Sequence, residues 1–131
     1  MSPTEINRLI ISLLPGDEFF INNWLAPMIV AGRSRHFIVA YNPNFRDKDN
    51  AYEYTVIPVP ASVDAPVPEC GPDYWLFGYN GTSDIQEFYD FRNPAWVAQY
   101  LASFESGESK ISERRSAPIT RIRKSKEWLN G

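Results

Sequence analysis

Between residues 18 and 79 the chain carries five short runs rich in β-branched and aromatic residues, each bounded by turn-forming residues. The runs are EFFIN, PMIVA, HFIVAY, YEYTVIPV and YWLFGY. Runs of this length and composition are typical of β-strands. The link GRSR between the second and third runs is short enough for a hairpin, and Gly32 can adopt a positive φ there. The sequence therefore predicts a curved antiparallel sheet, or a small closed barrel, of about five strands.

A helix is predicted on each side of these runs. Ser2-Pro3-Thr4-Glu5 has the pattern of a capping box with proline in the first turn, and Pro15-Gly16 ends the apolar stripe that follows. Asn93-Pro94 begins a second helix in the same way. We expect the apolar stripes of both helices to pack together against one face of the sheet. The stripes are Ile6, Leu9, Ile10 and Leu13 in the first helix and Trp96, Tyr100, Leu101 and Phe104 in the second.

Two further segments complete the predicted fold. Residues 58–72 hold five of the eleven prolines, which excludes a central strand and favours an extended surface loop or edge. In residues 84–91, the spacing of Ser83 and Gln86 favours a short helix, with a sixth strand as the alternative. The whole pattern predicts an α+β fold with an N-terminal helix, the sheet and a C-terminal helix.

Positive charge is concentrated at the C-terminal end. Residues 110–131 contain seven bases and two acids, a net charge of +5, whereas residues 1–109 contain six bases and fourteen acids, a net charge of −8. The composition changes near residue 107. We therefore expect a single α+β domain over residues 1–109 and a basic C-terminal tail over residues 110–131, and we expect the fold to survive removal of the tail.

Several chemistries have no support in the sequence. The single histidine and the single cysteine, His36 and Cys70, cannot build a structural zinc site, and one cysteine cannot form an internal disulfide. Neither GxGxxG nor GxxxxGK followed by serine or threonine, the two glycine-rich motifs that bind phosphate groups of nucleotides, occurs in the chain. No apolar run is long enough to span a membrane, and no signal peptide is evident. We expect a cytoplasmic protein with no cofactor, no metal site and no membrane partner.

One acidic pattern favours a different class of protein. Asp73, which follows Pro72, and the later Glu108-Ser109-Lys110 faintly resemble the spaced PD and ExK elements of a metal-dependent nuclease. This resemblance covers only these few residues, and it implies a carboxylate-dependent metal hydrolase. The sequence departs from the nuclease pattern because Glu108 and Lys110 follow a helix-ending Gly107 rather than lying on a predicted strand. We therefore expect a protein with no catalytic residues, and the hydrolase is an alternative.

Two groups of bases are the candidate binding residues. The first lies at the predicted hairpin tip and consists of Arg33, Arg35 and His36. The aromatic residues close to it in sequence are Trp24, Tyr41 and Phe45. The second group lies in the tail and consists of Arg114, Arg115, Arg121, Arg123, Lys124 and Lys126. Guanidinium groups beside aromatic rings suit phosphate contact combined with base stacking.

These residues predict a small non-enzymatic binding protein, regulatory or accessory in role, that engages DNA or RNA through the hairpin tip and the tail. The alternative is a protein-interaction module, in which the tail meets an acidic protein partner or the acidic body meets a basic target, as in a viral or host regulator. A third interpretation has the +5 tail folding back onto the −8 body. Whether Arg33, Arg35 and the tail bases lie on one continuous surface discriminates between these interpretations. A tail that crosses the sheet with its arginines paired to acids of the body would remove most of the support for nucleic acid.

Overall fold

A computed structural model of the protein describes residues 1–46, 51–76, 90–111 and 116–125. The helices of this part of the chain are α1 (Pro3–Ser12) and α2 (Pro94–Glu105). Its strands are β1 (Glu18–Ile21), β2 (Met28–Arg33), β3 (Phe37–Arg46), β4 (Ala51–Pro58), β5 (Glu69–Cys70), β6 (Asp73–Leu76), β7 (Ala117–Pro118) and β8 (Ile122–Lys124). The predicted α+β class is confirmed.

Six of the strands form one antiparallel sheet in the order β6-β4-β3-β2-β1-β8. The five predicted runs supply β1, β2, β3, β4 and β6. The sixth strand, β8, comes from the segment predicted to be a tail. In the described residues β6 and β8 are the two ends of the sheet and do not pair with each other, so the closed barrel remains only a prediction.

The first helix begins as its sequence indicates. The Ser2 side chain accepts a hydrogen bond from the main-chain N–H of Glu5, and the Glu5 carboxylate accepts one from the N–H of Ser2, which completes the capping box. The apolar side of α1 packs on one face of the sheet. The buried residues of this first core are Ile6, Ile10, Leu13, Phe19, Ile21, Met28, Val30, Ile38, Ala40, Ile57, Cys70, Ile119 and Ile122.

The second helix packs on the other face. Asn93 caps α2 by accepting a hydrogen bond from the N–H of Ala95 at 3.0 Å. The buried residues of this second core are Val39, Tyr41, Tyr52, Tyr54, Val56, Phe91, Trp96, Val97, Leu101 and Phe104. Successive strand residues point to opposite faces, and Ile38 belongs to the first core while Val39 belongs to the second. The expectation that both helices cover one face is therefore wrong.

The second helix approaches the sheet most closely at Gly32 of β2. A Cβ atom added at Gly32 would lie 2.7 Å from Cγ1 of Val97, which is closer than two carbon atoms tolerate. Glycine is needed here to let α2 lie against the strand, not to supply the positive φ that the turn prediction assigned to it. The absence of a side chain at this position sets how closely the helix can lie against the sheet.

The proline-rich segment forms no central strand after Pro58, where β4 ends, as predicted. Its strand β5 pairs with β7 in a separate two-stranded sheet. Asn7 of α1 is fully buried and donates hydrogen bonds to the carbonyl oxygens of Val63 and Ala65, at 3.2 and 2.6 Å. This contact holds the loop against α1. Of the predicted helix over residues 84–91, residues 84–89 lie outside the described part of the chain.

Residues 116–125 of the predicted tail are part of the packed structure. Ile119 and Ile122 are 2% and 1% exposed and lie in the first core. In addition, β8 pairs with β1 in the register Phe20↔Arg123. Removal of residues 110–131 would take β8 from the edge of the sheet and uncover the first core, so the packing argues against the expectation that the fold survives this removal. No helix in the described part of the chain combines the length and apolar character needed to cross a membrane.

Candidate functional site

Arg33, at the end of β2, is engaged inside the protein. Its guanidinium group donates hydrogen bonds to the carbonyl oxygens of Ile11, at 2.8 Å, and Leu13, at the C-terminal end of α1. Carbonyl groups at this end of a helix lack partners within the helix, and a cation there also interacts favourably with the helix dipole. Arg33 therefore fastens α1 to the sheet and is half-buried.

His36 and Ser34 fasten the β2–β3 hairpin to the end of α2. Nδ1 of His36 lies 2.6 Å from Oε1 of Glu105, while the His36 N–H and the Ser34 hydroxyl donate to Oε2 at 3.0 and 2.7 Å. The hydrogen bonds from His36 and Ser34 hold the pKa of the Glu105 carboxyl below its usual value. Arg35 is the member of the hairpin group that is exposed without an ion pair among the described residues.

The six predicted binding bases of residues 110–131 divide into three sets. Lys124 is half-buried, and its ammonium group lies 3.5 Å from Oδ2 of Asp17 and 3.5 Å from the carbonyl oxygen of Ser12. It therefore joins β8 to the body of the protein. Arg121 and Arg123 are exposed. The remaining predicted binding residues, Arg114, Arg115 and Lys126, lie outside the described part of the chain.

Arg121 and Arg123 are held beside an aromatic ring at the edge of the sheet. The guanidinium carbon of Arg123 lies 4.4 Å from the centre of the Phe20 ring, a cation–π contact across the β1–β8 pair. Arg121 donates one hydrogen bond to the carbonyl oxygen of Asn22 at 3.1 Å. Neither arginine has an acidic partner within ion-pair distance among the described residues. Among the described residues, most of the N–H donors of both side chains have no hydrogen-bond partner.

Asn22 organises this edge. Its φ of 49° is in the left-handed region, which asparagine adopts more readily than most residues. Its side-chain oxygen accepts hydrogen bonds from the N–H groups of Thr120 and Arg121, at 2.8 and 3.2 Å, and its amide donates to the carbonyl oxygen of Pro118 at 3.2 Å. One side chain thus sets the path of the residues that lead into β8, including Arg121.

An open groove lies where β1 turns towards β2 and β8 begins. This edge groove is open to solvent, and its lining includes Phe20, Asn22, Trp24, Leu25, Arg121 and Arg123. The described residues that line it include two arginines and no acidic residue. Leu25 is 98% exposed, whereas Trp24 is partly buried against the first core. The edge groove therefore combines positive charge with aromatic and apolar surface.

The structure does not place the hairpin tip next to the edge groove. Phe19 pairs with Met28, and from that pair Arg33 lies towards one end of the strands while Asn22 lies towards the other. At about 3.3 Å per residue, the two regions are roughly 25 Å apart along the sheet. Trp24, expected near the hairpin tip, lies in the edge groove instead, and Tyr41 is buried in the second core. The side chain of Phe45 lies outside the described set.

The residues that could serve catalysis are Cys70, Asp73, Glu108 and Lys110. Cys70 is buried, and desolvation raises the pKa of its thiol to about 11, so it is protonated at neutral pH. Asp73 and Lys110 line a common small pocket, but Glu108 is not part of that lining. Within the ranges that the structure describes, no cluster of three or more acidic, histidine or cysteine side chains could hold a metal ion.

Sequence reasoning missed Phe20, Asn22 and Leu25. A signal for Asn22 and Leu25 is the turn NNWLAP between the first two predicted strands, where a tryptophan and a leucine occur in a short connection. Comparison of the chain with known protein families, with curated proteins and with solved structures finds no match.

Proposed function

We propose that this is a small non-enzymatic protein that binds nucleic acid through the edge groove, in a regulatory or accessory role. The observation that carries the proposal is the pairing of two exposed arginines without acidic partners among the described residues with aromatic surface in one open groove. Guanidinium groups recognise phosphate with several donors at once, and aromatic surface gives bases a place to stack. Segregated positive charge also attracts a polyanion to a chain of net charge −3.

The contacts of the other predicted bases reduce the number of residues that we assign to the nucleic-acid-binding surface. Arg33, His36 and Lys124 are engaged by α1, Glu105 and Asp17, so we assign them to the fold. Arg121 and Arg123 are assigned to the ligand. Arg35 lies at the far end of the sheet and is outside the proposed contact. Arg114, Arg115 and Lys126 belong to the same basic segment as the groove arginines and stay as candidate contacts.

A protein partner is the second candidate, and one observation favours it. Leu25 projects into solvent almost completely from the lining of the groove, so it offers apolar surface to a partner. A protein target with an acidic, partly apolar surface would also be complementary to the groove. The two candidates differ in what the arginines contact, and direct binding to purified nucleic acid separates them.

The proposal is tested by fluorescence anisotropy with labelled single-stranded and duplex oligonucleotides at low ionic strength. A charge-assisted hydrogen bond contributes about 1.5 kcal/mol or more, so Arg121→Gln and Arg123→Gln should each weaken binding by about tenfold. Arg8→Gln is the matched control, because Arg8 is exposed on α1, on the opposite side of the sheet from Arg123. Arg35→Gln should also bind as the unsubstituted protein does. Absence of binding to every oligonucleotide would refute the proposal and favour the protein partner.

A further inference from the structure

The cation–π pair of Phe20 and Arg123 points to a more specific ligand. The guanidinium group lies over the Phe20 ring, on the face of the sheet that also carries α2, and Arg123 is exposed. The side of a guanidinium plane that faces away from a ring can itself carry a flat group, because bases stack on arginine planes as they do on aromatic rings. A base placed there would complete a three-layer stack of base, guanidinium and ring.

We infer that the edge groove binds single-stranded nucleic acid, with one base stacked on Arg123 and an adjacent phosphate bound by Arg121. This inference rests on the proposed function. Arg121 and Arg123 are two residues apart at the β8 edge, which places them about 6.6 Å apart along the chain. That spacing lets one residue contact a base and the other contact its own or the neighbouring phosphate.

The two arginines are fixed in different ways, which suits these two roles. Arg123 is positioned by a ring, which holds its guanidinium group over the Phe20 face. Arg121 is positioned by the Asn22 carbonyl oxygen through one donor, and its other donors have no partner among the described residues. A duplex would not fit this arrangement, because its bases are already stacked inside the helix and offer no free face. The ligand class is therefore a single strand with little sequence preference.

Replacement of each arginine by lysine tests the inference, because lysine keeps the charge but has no plane for stacking. The ligands are a labelled oligothymidylate of about eight nucleotides, an abasic strand of equal length and charge, and a duplex. Base stacking contributes about 1 to 3 kcal/mol, so Arg123→Lys should lose about tenfold in affinity for oligothymidylate and little for the abasic strand. Arg121→Lys should change the affinities for oligothymidylate and for the abasic strand by the same factor, because it alters a phosphate contact and no base contact. Phe20→Leu, which removes the ring behind the guanidinium, should resemble Arg123→Lys.

The outcomes separate this inference from the function on which it rests. Tighter binding of oligothymidylate than of the abasic strand and the duplex, with the asymmetry between the two lysine variants, supports the single-strand ligand. Equal binding of all three ligands, or equal effects of the two lysine variants, overturns it and leaves nucleic-acid binding in place. No binding of any of the three overturns both. Thermal melting of each variant checks that the fold is retained.

Discussion

Replacing Gly32 by alanine should destabilise the protein, although alanine is ordinarily the better strand residue. The added Cβ would lie 2.7 Å from Cγ1 of Val97, about 1 Å closer than a normal carbon contact. Val97 cannot easily turn away, because β-branched side chains have one strongly preferred rotamer in a helix. Overpacking costs about 1 to 3 kcal/mol, and the replacement of a strand glycine returns about 0.5 to 1 kcal/mol. The difference is a net loss of about 1 kcal/mol, within limits of about 0 and 2.5 kcal/mol.

A double-mutant cycle measured by urea denaturation isolates this contact. Val97→Ala alone should cost about 1.5 kcal/mol or more, because two buried methyl groups are lost. The double variant should be more stable than the sum of the single effects predicts, by about 1 kcal/mol or more, because the methyl group added by Gly32→Ala enters the space that the Val97 side chain leaves.

Gly107→Ala is the matched control for the cycle. Gly107 has a φ of +85°, and an added Cβ would meet none of the described atoms within 4 Å, so its cost is backbone strain alone. That cost should add independently to the cost of Val97→Ala. A stabilising Gly32→Ala, or purely additive effects of Gly32→Ala and Val97→Ala, would refute the proposed close contact between α2 and β2.

Three further outcomes follow from the contacts described above. Asn22→Gly keeps the left-handed φ accessible but removes the side-chain bonds to residues 118–121, so it should weaken oligonucleotide binding in anisotropy titrations, whereas Arg35→Gln should not. Because hydrogen bonds lower the folded-state pKa of Glu105 below its ordinary value of 4.5, its stabilisation is present above pH 4.5 and is lost as the pH falls through the folded-state value. Glu105→Gln should therefore lower Tm at pH 7 and leave it unchanged at about pH 2; equal shifts at both pH values would contradict the assignment. Deleting residues 116–131 should abolish cooperative unfolding, measured by circular dichroism, because Ile119 and Ile122 leave the first core; a cooperative transition at an unchanged temperature would show that β8 is dispensable.

The secondary structure could be predicted where its signals are local. The caps at Ser2 and Asn93 mark the starts of both helices within a few residues, and each of the five predicted strands contains its own run of β-branched or aromatic residues. The side of the sheet that each helix covers is not a local property. A signal was nevertheless present, because the uninterrupted apolar run in HFIVAY indicates a strand buried on both faces.

The candidate site was harder to predict because the residues that contact the predicted bases are distant from them in sequence. His36 is bound by Glu105, 69 residues away, and Arg33 by a carbonyl group 22 residues away, so neither could be assigned to the fold from its neighbours. The charge count treated residues 110–131 as one basic segment. It gave no weight to Ile119 and Ile122, which are apolar and buried. Pairing of β8 with β1 depends on contacts across about a hundred residues, which no local pattern encodes.

The salt dependence of oligonucleotide binding tests most directly whether the edge groove contacts phosphate. For a single strand, each phosphate neutralised by the protein contributes about −0.7 to the slope of log K against log salt concentration. Arg121→Gln should therefore make the slope shallower by about 0.7, whatever other contacts the basic segment makes. Arg35→Gln, which removes an equal charge at the far end of the sheet, should leave the slope unchanged. A slope that Arg121→Gln does not alter, or that Arg35→Gln alters equally, would contradict phosphate binding in the edge groove.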